Sequence, residues 1–532
     1  MERRDFIKIV ITGSFATGTL ATLACPRGRS GQPGGATLAS PGGGSGAAAA
    51  LQPALSSEIN TVCHALRDGA TFRMPRPSRH VPIVIVGAGP GGLAAARALG
   101  DRPFLLLEKE PQVGGNATGA SWRGVGFSSG TSYSGDDDLK ALAGEMGVPL
   151  YPIDSVDGMI VRDIYVPNFF TTGVTRAPYP QTVRDAFRRF VETYHTYDVD
   201  AEVQRLDNLP FAAILKDYPR EVTDFFDSFG PNNWGATVKD TSAYVGIQAA
   251  QWMGGLESKR YTGAEGFGAL TRALGVWVTE RAPVRLVAGA AVVRVQQEGT
   301  KILVAYVPPG EAEAFAAVGP DAPPARLECV SADTVIMAAP KFIAKHLVAG
   351  LPEDQRAAMA NIRYAPYMVA NLCFEGVVHE DCFDTNVPAP DAMSDFVCAD
   401  YPKTRGRGDA GRPTVLSCYM PQLEEDRVLL LDEAEVRAKV LKALDRVDRW
   451  FPGAARKCRE IQVRLRGHPM FMATCGMLTR TAPLAARSLG AIHFAGTDGV
   501  GGVSEYAEAL ASGRAAARKA IASLDAAAHR WA

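Results

Sequence analysis

The segment 81–108 constrains the fold of this chain more than any other. An apolar run at 81–86 leads directly into Gly87-Ala88-Gly89-Pro90-Gly91-Gly92, an alanine-rich stretch follows, and a second apolar run stops at Glu108. A buried strand that turns into a helix and returns as a second strand is a βαβ unit of a parallel sheet. Glycines at this spacing, with an acidic residue at the end of the second strand, are typical of dinucleotide binding. The segment therefore predicts an α/β fold with a Rossmann-like, dinucleotide-binding domain.

Each residue type in this motif has a physical task. Gly87 permits the tight turn, Gly89 lets the backbone approach a pyrophosphate, and Gly92 lets the helix pack on the strand. The pyrophosphate lies at the helix N-terminus, where free N–H groups and the helix dipole meet its charge. Glu108 follows Gly87 by 21 residues, so its carboxylate can accept hydrogen bonds from a ribose. We predict the following dinucleotide-binding residues in this part of the chain: Gly87, Gly89, Pro90, Gly91, Gly92, Glu108 and Lys109.

Composition excludes several classes of function. The 532 residues contain 56 Lys and Arg against 57 Asp and Glu, so the chain lacks the basic excess expected of a nucleic-acid partner. Outside the extreme N-terminus, no apolar run reaches the ~20 residues of a membrane-spanning helix. The nine cysteines are scattered, with neither a CxxC pair nor a CxxCH haem-attachment motif. We therefore expect no metal site and no nucleic-acid partner.

The N-terminus carries the pattern of an export signal. Arg3 and Arg4 precede an apolar stretch, which is typical of a twin-arginine signal over residues 1–25; an ordinary secretory signal is the alternative. Cys25 follows Leu-Ala and is a candidate lipid-anchor site. Residues 26–57, rich in Gly, Ala, Pro and Ser, are predicted to form a flexible linker. These features predict a periplasmic or membrane-tethered protein that is exported already folded.

Three further blocks carry a family resemblance. They are 114–116 (Gly-Gly-Asn), 127–133 and 491–498, the last followed by a helix of small residues. Together with the first motif they resemble the FAD-dependent amine oxidase superfamily, which includes amine oxidases, polyamine oxidases and phytoene desaturases. The resemblance implies FAD as the cofactor. Because no cysteine lies in the C-terminal block, the FAD is expected to be bound non-covalently.

The family pattern also implies further cofactor-binding residues, with three departures. Asn116 stands where the family has arginine, and Ser128 stands where it has an acid. Thr497 takes the place of the C-terminal acid and Asp498 follows it; either could reach the ribityl chain or the pyrophosphate, and we favour Asp498. The backbone of Val293 is expected to bind adenine. The implied set is Gly115, Asn116, Gly130, Thr131, Ser132, Val293, Gly496 and Asp498.

The resemblance implies two interleaved domains. Segments 76–145, 262–345 and 480–525 are predicted to form the FAD-binding domain, and 146–261 and 346–479 a substrate domain of mixed sheet and helices. Two short matches, at 64–69 and 494–498, are similar to bacterial spermidine dehydrogenases. Some members of that branch carry a haem, so His64 as an axial ligand stays open beside an ordinary structural role.

The leading functional hypothesis is an oxidoreductase that oxidises a C–N bond of an amine or polyamine by hydride transfer to flavin. Tyr506 is the candidate aromatic wall and His468 the candidate base or polar contact; core packing and a structural histidine are the alternatives. The strand 367–374 lacks the lysine found in many oxidases of the family, which favours an electron acceptor other than oxygen. Two alternative functions are a flavin-dependent desaturase or isomerase of a lipid or carotenoid, and a non-catalytic escort protein.

Overall fold

A computed structural model describes residues 51–135, 137–253, 260–281, 286–316, 326–404 and 409–528. The predicted signal at 1–25, Cys25 and most of the predicted linker lie outside these residues. Within the described ranges no helix is long and apolar enough to cross a membrane.

The chain alternates helices with strands, in agreement with the predicted α/β class. In chain order the strands are β1 (Ala54–Ser56), β2 (Arg79–Val86), β3 (Phe104–Glu108), β4 (Gly119–Trp122), β5 (Val125–Ser128), β6 (Tyr133–Ser134), β7 (Tyr151–Ile153), β8 (Gly158–Val161), β9 (Ile164–Val166), β10 (Arg260–Thr262), β11 (Ala264–Phe267), β12 (Leu286–Ala288), β13 (Ala291–Glu298), β14 (Lys301–Val307), β15 (Glu328–Met337), β16 (Tyr364–Glu375), β17 (Asp384–Asn386), β18 (Asp395–Cys398), β19 (Pro413–Pro421), β20 (Cys458–Phe471) and β21 (Ile492–Phe494).

The helices frame these strands. They are α1 (Thr61–Arg67), α2 (Pro90–Ala98), α3 (Asp137–Glu145), α4 (Gln181–Tyr194), α5 (Val203–Leu206), α6 (Phe211–Leu215), α7 (Arg220–Trp234), α8 (Ala243–Met253), α9 (Gly268–Arg281), α10 (Ala312–Ala316), α11 (Lys341–Leu347), α12 (Glu353–Asn361), α13 (Tyr401–Thr404), α14 (Glu433–Trp450), α15 (Ala454–Lys457), α16 (Ala482–Ala485) and α17 (Tyr506–Ala528).

The first sheet contains the βαβ unit. Its order is β12-β3-β2-β15-β14-β13, and β21 pairs with β15. The pairs β12–β3, β3–β2, β2–β15 and β15–β21 are parallel, whereas the pairs β15–β14 and β14–β13 are antiparallel. The inner strands are buried on both faces, as their continuous apolar sequence requires. All strands of this sheet come from the three segments that the sequence assigns to the FAD-binding domain.

The second sheet has the order β1-β20-β16-β19-β18-β17-β8-β9. Apart from β1, its strands come from the two segments assigned to the substrate domain. Strand β1 corrects the predicted linker at 26–57, because Ala54–Ser56 pair in parallel with Gln462–Arg464 of β20. A three-residue strand has no periodicity of its own to reveal it. Its backbone groups are instead satisfied by a partner at the far end of the chain.

Candidate cofactor-binding site

A cavity of about 520 Å³ lies where β2, β3 and β15 end. This volume is within the usual range for small-molecule sites, and the carboxyl edge of a parallel sheet is where such sites are found. Val86, Leu107 and Ala338, at the ends of these strands, line it together with the first glycine motif. The cavity extends to Phe342, Tyr364 and Phe471.

The glycine loop has the geometry that its sequence predicts. Gly87 has a φ of +100°, which favours glycine, and a Cβ on Gly92 would lie 1.8 Å from the carbonyl oxygen of Gly87. Pro90 begins α2, so its missing N–H costs the helix nothing. Gly87, Gly89, Pro90 and Gly91 line the cavity. Gly92 does not line it and instead brings α2 against β2. The loop thus presents bare backbone and a helix N-terminus to a ligand.

Glu108 lies on the cavity wall at the end of β3 and is 6% exposed. Its Oε2 accepts a hydrogen bond from the Ala88 N–H at 2.6 Å and its Oε1 accepts one from the Glu110 N–H at 2.9 Å. Burial raises the pKa of Glu108, while Lys109 and these two N–H groups act in the opposite direction. A carboxylate has about four acceptor positions, so Glu108 keeps capacity for a ribose hydroxyl. Lys109 also lines the cavity, and its Nζ donates to the carbonyl oxygen of Ile59 at 2.8 Å.

A buried ion pair forms the C-terminal side of the cavity. Asp498 accepts hydrogen bonds from the Nζ and the backbone N–H of Lys341, each at 2.7 Å, and from the hydroxyl of Tyr364 at 2.7 Å. Asp498 and Lys341 are 4% and 0% exposed. Burial and the neighbouring Asp498 raise the pKa of Tyr364 well above its usual range, so its hydroxyl stays a donor. Asp498 and Gly496 line the cavity, with the aspartate charge balanced by Lys341.

A family model for flavin-containing amine oxidoreductases matches residues 90–521, which include most of this cavity. The chain belongs to this family. Membership implies a flavin cofactor. The residues fit one, because a Cβ on Gly115 would come within 3.2 Å of the Cα of Gly89 and narrow the glycine-lined cleft. The sequence resemblance is therefore confirmed at the level of the family, whereas the spermidine dehydrogenase branch remains a prediction.

Curated relatives match only part of the chain. A putative flavin-containing monoamine oxidase of Mycobacterium tuberculosis is 38% identical over 86 residues, which are 15% of this chain and 19% of that protein. A thiamine thiazole synthase of Methanococcus aeolicus is 35% identical over 111 residues, 20% of this chain and 39% of that protein. The chain thus matches about a fifth of the length of the first of these relatives and about two fifths of the second.

Solved structures share the fold over most of the chain. Putrescine oxidase bound to putrescine matches with a TM-score of 0.59 and 17% identity, covering 84% of this chain and 100% of that one. Cyclohexylamine oxidase from Brevibacterium oxydans matches with a TM-score of 0.63 and 15% identity, over 84% and 100%. A putative protoporphyrinogen oxidase from Exiguobacterium has a TM-score of 0.58 and 15% identity, over 85% and 100%. At these identities the likeness shows the amine oxidase fold and does not select a substrate.

The two blocks at 114–116 and 127–133 differ in their position relative to the cavity. Gly115 and Asn116 line the cavity, whereas Gly130, Thr131 and Ser132 do not. Gly130 lies behind the wall, where a Cβ would come within 2.1 Å of the carbonyl oxygen of Asn116. Phe127 and Ser129 line the cavity in their place. Residues 130–132 are predicted to bind the cofactor, but they do not line this cavity, and Gly130 instead packs against the backbone of Asn116.

Val293 is also displaced from its predicted role. The pairing of β13 with β14 shifts register between Val292 and Arg294, and Val293 is buried in a small apolar cluster with Val62 and Phe315. Ala291 and Val292 line the cavity instead. A sequence pattern of uniform alternation cannot anticipate such a register shift.

Neither candidate catalytic residue lines the cavity. Tyr506 is 1% exposed; its ring stacks on Phe267 with centroids 4.6 Å apart, and its hydroxyl lies 2.9 Å from Oγ1 of Thr271. The placement of Tyr506 in the core contradicts its predicted role as an aromatic wall. The ring of His468 stacks on Phe342 with centroids 4.7 Å apart, so it supports a lining residue.

The structure adds cavity residues that sequence reasoning missed. Tyr364 and residues 56–60 line the cavity, and Lys341 bonds Asp498 without lining the cavity itself. Lys341 and Asp498 are 157 residues apart, so no local sequence pattern predicts their pairing. His64, the alternative haem ligand, lies on α1; burial and the charge of Arg67 lower its pKa to about 4. Its neighbour Cys63 lines the cavity.

Proposed function

We propose that this protein is an FAD-dependent oxidoreductase that oxidises a C–N bond of an amine. The observation that carries the proposal is the cavity itself, in which Glu108 and the bare backbone of Gly87–Gly91 face the C-terminal residues Gly496 and Asp498. Bound FAD would supply an acceptor for one hydride, which carries both electrons of the oxidation. The family match and the amine oxidase fold support an amine as the donor, and a polyamine is the narrower form of this proposal.

The protein's own groups bind and orient the cofactor in this proposal. Glu108 binds the ribose, and the N-terminus of α2 balances the charge of the pyrophosphate. Asp498 lines the opposite side of the cavity, where Lys341 balances its charge. Cys63 is the described cysteine on the cavity wall, and burial raises the pKa of its thiol. A protonated thiol is a poor nucleophile, which supports non-covalent FAD.

Anaerobic mixing tests the substrate class. Purified protein is expected to show a flavin spectrum, and addition of spermidine, other amines or amino acids is expected to bleach the flavin band for at least one amine. If no amine bleaches the band while an apolar polyene does, the amine proposal fails and the desaturase reading replaces it. A colourless protein that takes up no FAD contradicts both and favours a non-catalytic escort. Flavin that stays with acid-precipitated polypeptide contradicts non-covalent binding.

We also propose that the protein is exported, on the strength of Arg3-Arg4 and the apolar stretch behind them. Cell fractionation of the full chain is expected to place it in the periplasm or at its membrane. Replacing both arginines by lysine is expected to retain it in the cytoplasm, and Cys25→Ala to release it from the membrane. Export that continues in the double-lysine variant contradicts the twin-arginine route, and unchanged fractionation of Cys25→Ala contradicts the lipid anchor.

A further inference from the structure

The residues that lead into the first domain form one wall of the cofactor cavity. Ala54–Asn60, here termed the N-terminal strap, begin as strand β1 beside β20 and then cross to the edge of the first sheet. The backbone N–H of Ile59 donates to Oε1 of Glu110 at 3.0 Å, and the Ile59 carbonyl accepts from Nζ of Lys109. The strap therefore lies directly against the two residues that follow Glu108, at the ribose end of the site. The strap residues that line the cavity are Ser56, Ser57, Glu58, Ile59 and Asn60.

The strap is fixed by one buried guanidinium. Arg466 of β20 is 1% exposed, and its Nη1 lies 2.5 Å from Oε1 of Glu58, whose side chain is 3% exposed. The same nitrogen donates to the carbonyl oxygen of Gly115 and to Oδ1 of Asn116, each at 3.2 Å. Its Nη2 donates to Oγ1 of Thr118 at 3.0 Å. One side chain thus joins the strap to the loop of the second glycine pair.

The four partners of Arg466 named above belong to the cavity wall. Glu58, Gly115, Asn116 and Thr118 all line the cavity, whereas Arg466 stands behind them. This chain has Asn116 directly after the second glycine pair, where the resemblance described above implies an arginine. The guanidinium that the sequence lacks at this position therefore reaches the same loop from β20, 350 residues further along the chain.

We infer that Arg466 is a cofactor-positioning residue, which fixes the Gly115–Asn116 loop and, through Glu58, holds the N-terminal strap closed over the adenosine side of the cavity. The inference rests on the proposed binding of FAD. Because a buried charge that loses its partner is strongly destabilised, opening the strap requires Glu58 and Arg466 to separate together. The strap therefore limits the rate at which bound FAD leaves.

Three variants and a matched control test this inference. Arg466→Met removes the guanidinium, and Arg466→Lys keeps the positive charge but has only one nitrogen donor group. Glu58→Gln keeps the shape of the Glu58 side chain without its charge. Arg260→Met is the control. Arg260 is 9% exposed and donates to Asp157 at 3.0 and 2.7 Å, and neither residue lines the cavity. The measurement is the rise of flavin fluorescence after dilution of each holoprotein, well below its melting temperature.

We expect FAD release to be about tenfold faster or more in Arg466→Met and Glu58→Gln, and intermediate in Arg466→Lys. Arg260→Met is expected to melt earlier but to release FAD at the wild-type rate. Amide hydrogen exchange at Ser57–Asn60 is expected to slow when FAD binds the wild type, and not in Glu58→Gln. If Arg466→Met does not fold, the inference is tested by the FAD release rate of Glu58→Gln together with the hydrogen-exchange measurement.

The inference is overturned if Arg466→Met and Glu58→Gln release FAD at the wild-type rate, or if Arg260→Met accelerates release equally. Its failure is distinct from that of the proposed function. A wild-type protein that binds no FAD refutes the function, whereas FAD bound equally well by every variant refutes only the role of the strap.

Discussion

At the scale of single residues, Glu108 is the side chain on which cofactor affinity is expected to depend most. Its carboxylate accepts a hydrogen bond from the Ala88 N–H of the glycine loop and also lines the cavity. Replacing it by Gln weakens every bond that it accepts, and hydrogen bonds to charged groups contribute about 1.5–3 kcal/mol each. We therefore expect Glu108→Gln to raise the Kd for FAD by roughly tenfold or more, and Glu108→Ala by more still.

Titration of the apoprotein with FAD measures this change. Glu145→Gln is the control, because Glu145 is an exposed partner of Arg97 in the same domain. An unchanged Kd in both Glu108 variants would show that the ribose contact lies elsewhere.

His379 makes a prediction about pH. It is 6% exposed, its ring stacks on Phe451 with centroids 4.8 Å apart, and burial lowers its pKa to about 4. The unfolded chain binds a proton near pH 6.5 and the folded protein does not, so the free energy of unfolding falls as the pH drops from 6.5 towards 4. This residue alone is expected to cost about 2 kcal/mol at pH 5 relative to pH 7.5.

Urea unfolding at both pH values checks the sign and the size. His379→Phe keeps a ring among its aromatic neighbours, and the difference between the two pH values is expected to shrink by about the same 2 kcal/mol. A difference as large as in the wild type would mean that other groups cause the acid sensitivity.

At the scale of elements, helices α2 and α17 pack closely against each other, and both contribute residues to the cavity wall. A Cβ on Gly513 of α17 would lie 2.0 Å from the carbonyl oxygen of Gly91, which lines the cavity on α2. Gly513→Ala must push the helices apart, and we expect it to destabilise the protein by about 1–3 kcal/mol and to reduce its FAD content. Gly144 in α3 has no atom within 4 Å of an added Cβ, so Gly144→Ala is expected to add up to about 1 kcal/mol of stability.

Thermal melting and the ratio of flavin to protein absorbance measure both variants. Full FAD content and a wild-type melting temperature in Gly513→Ala would contradict the tight crossing of the two helices.

The elements also show which parts of the site a sequence can predict. The unit from β2 to Glu108 was predictable because its residues are neighbours in the chain and each has a local task. Glu58 and Arg466 are 408 residues apart, and Lys341 and Asp498 are 157 apart, so only the folded chain reveals these pairs. Tyr506 was misplaced because α17 is buried on more than one face, and its sequence does not show which face meets the cavity.

At the scale of the whole molecule, the strap connects the two large sheets. It is hydrogen-bonded to β20 of the second sheet and to the end of β3 in the first, so the cavity is complete only when both sheets and the strap are in place. The proposed export signal, at residues 1–25, precedes the strap in the chain. Folding around the cofactor before export would therefore form the Glu58–Arg466 ion pair before the chain leaves the cytoplasm.

Truncation tests this view of the molecule. A chain that begins at residue 51 keeps the strap, whereas one that begins at residue 61 lacks β1, Glu58 and Ile59 but keeps α1. In the shorter chain Arg466 stays buried without its carboxylate, a loss that typically costs about 3–5 kcal/mol. We expect the longer chain to retain its FAD through gel filtration and to unfold at the same urea concentration as the full-length chain. The shorter chain is expected to lose FAD and to unfold earlier, and adding Arg466→Met to it is expected to recover stability but not FAD. Equal FAD retention by the two truncated chains would show that the cavity closes without the strap.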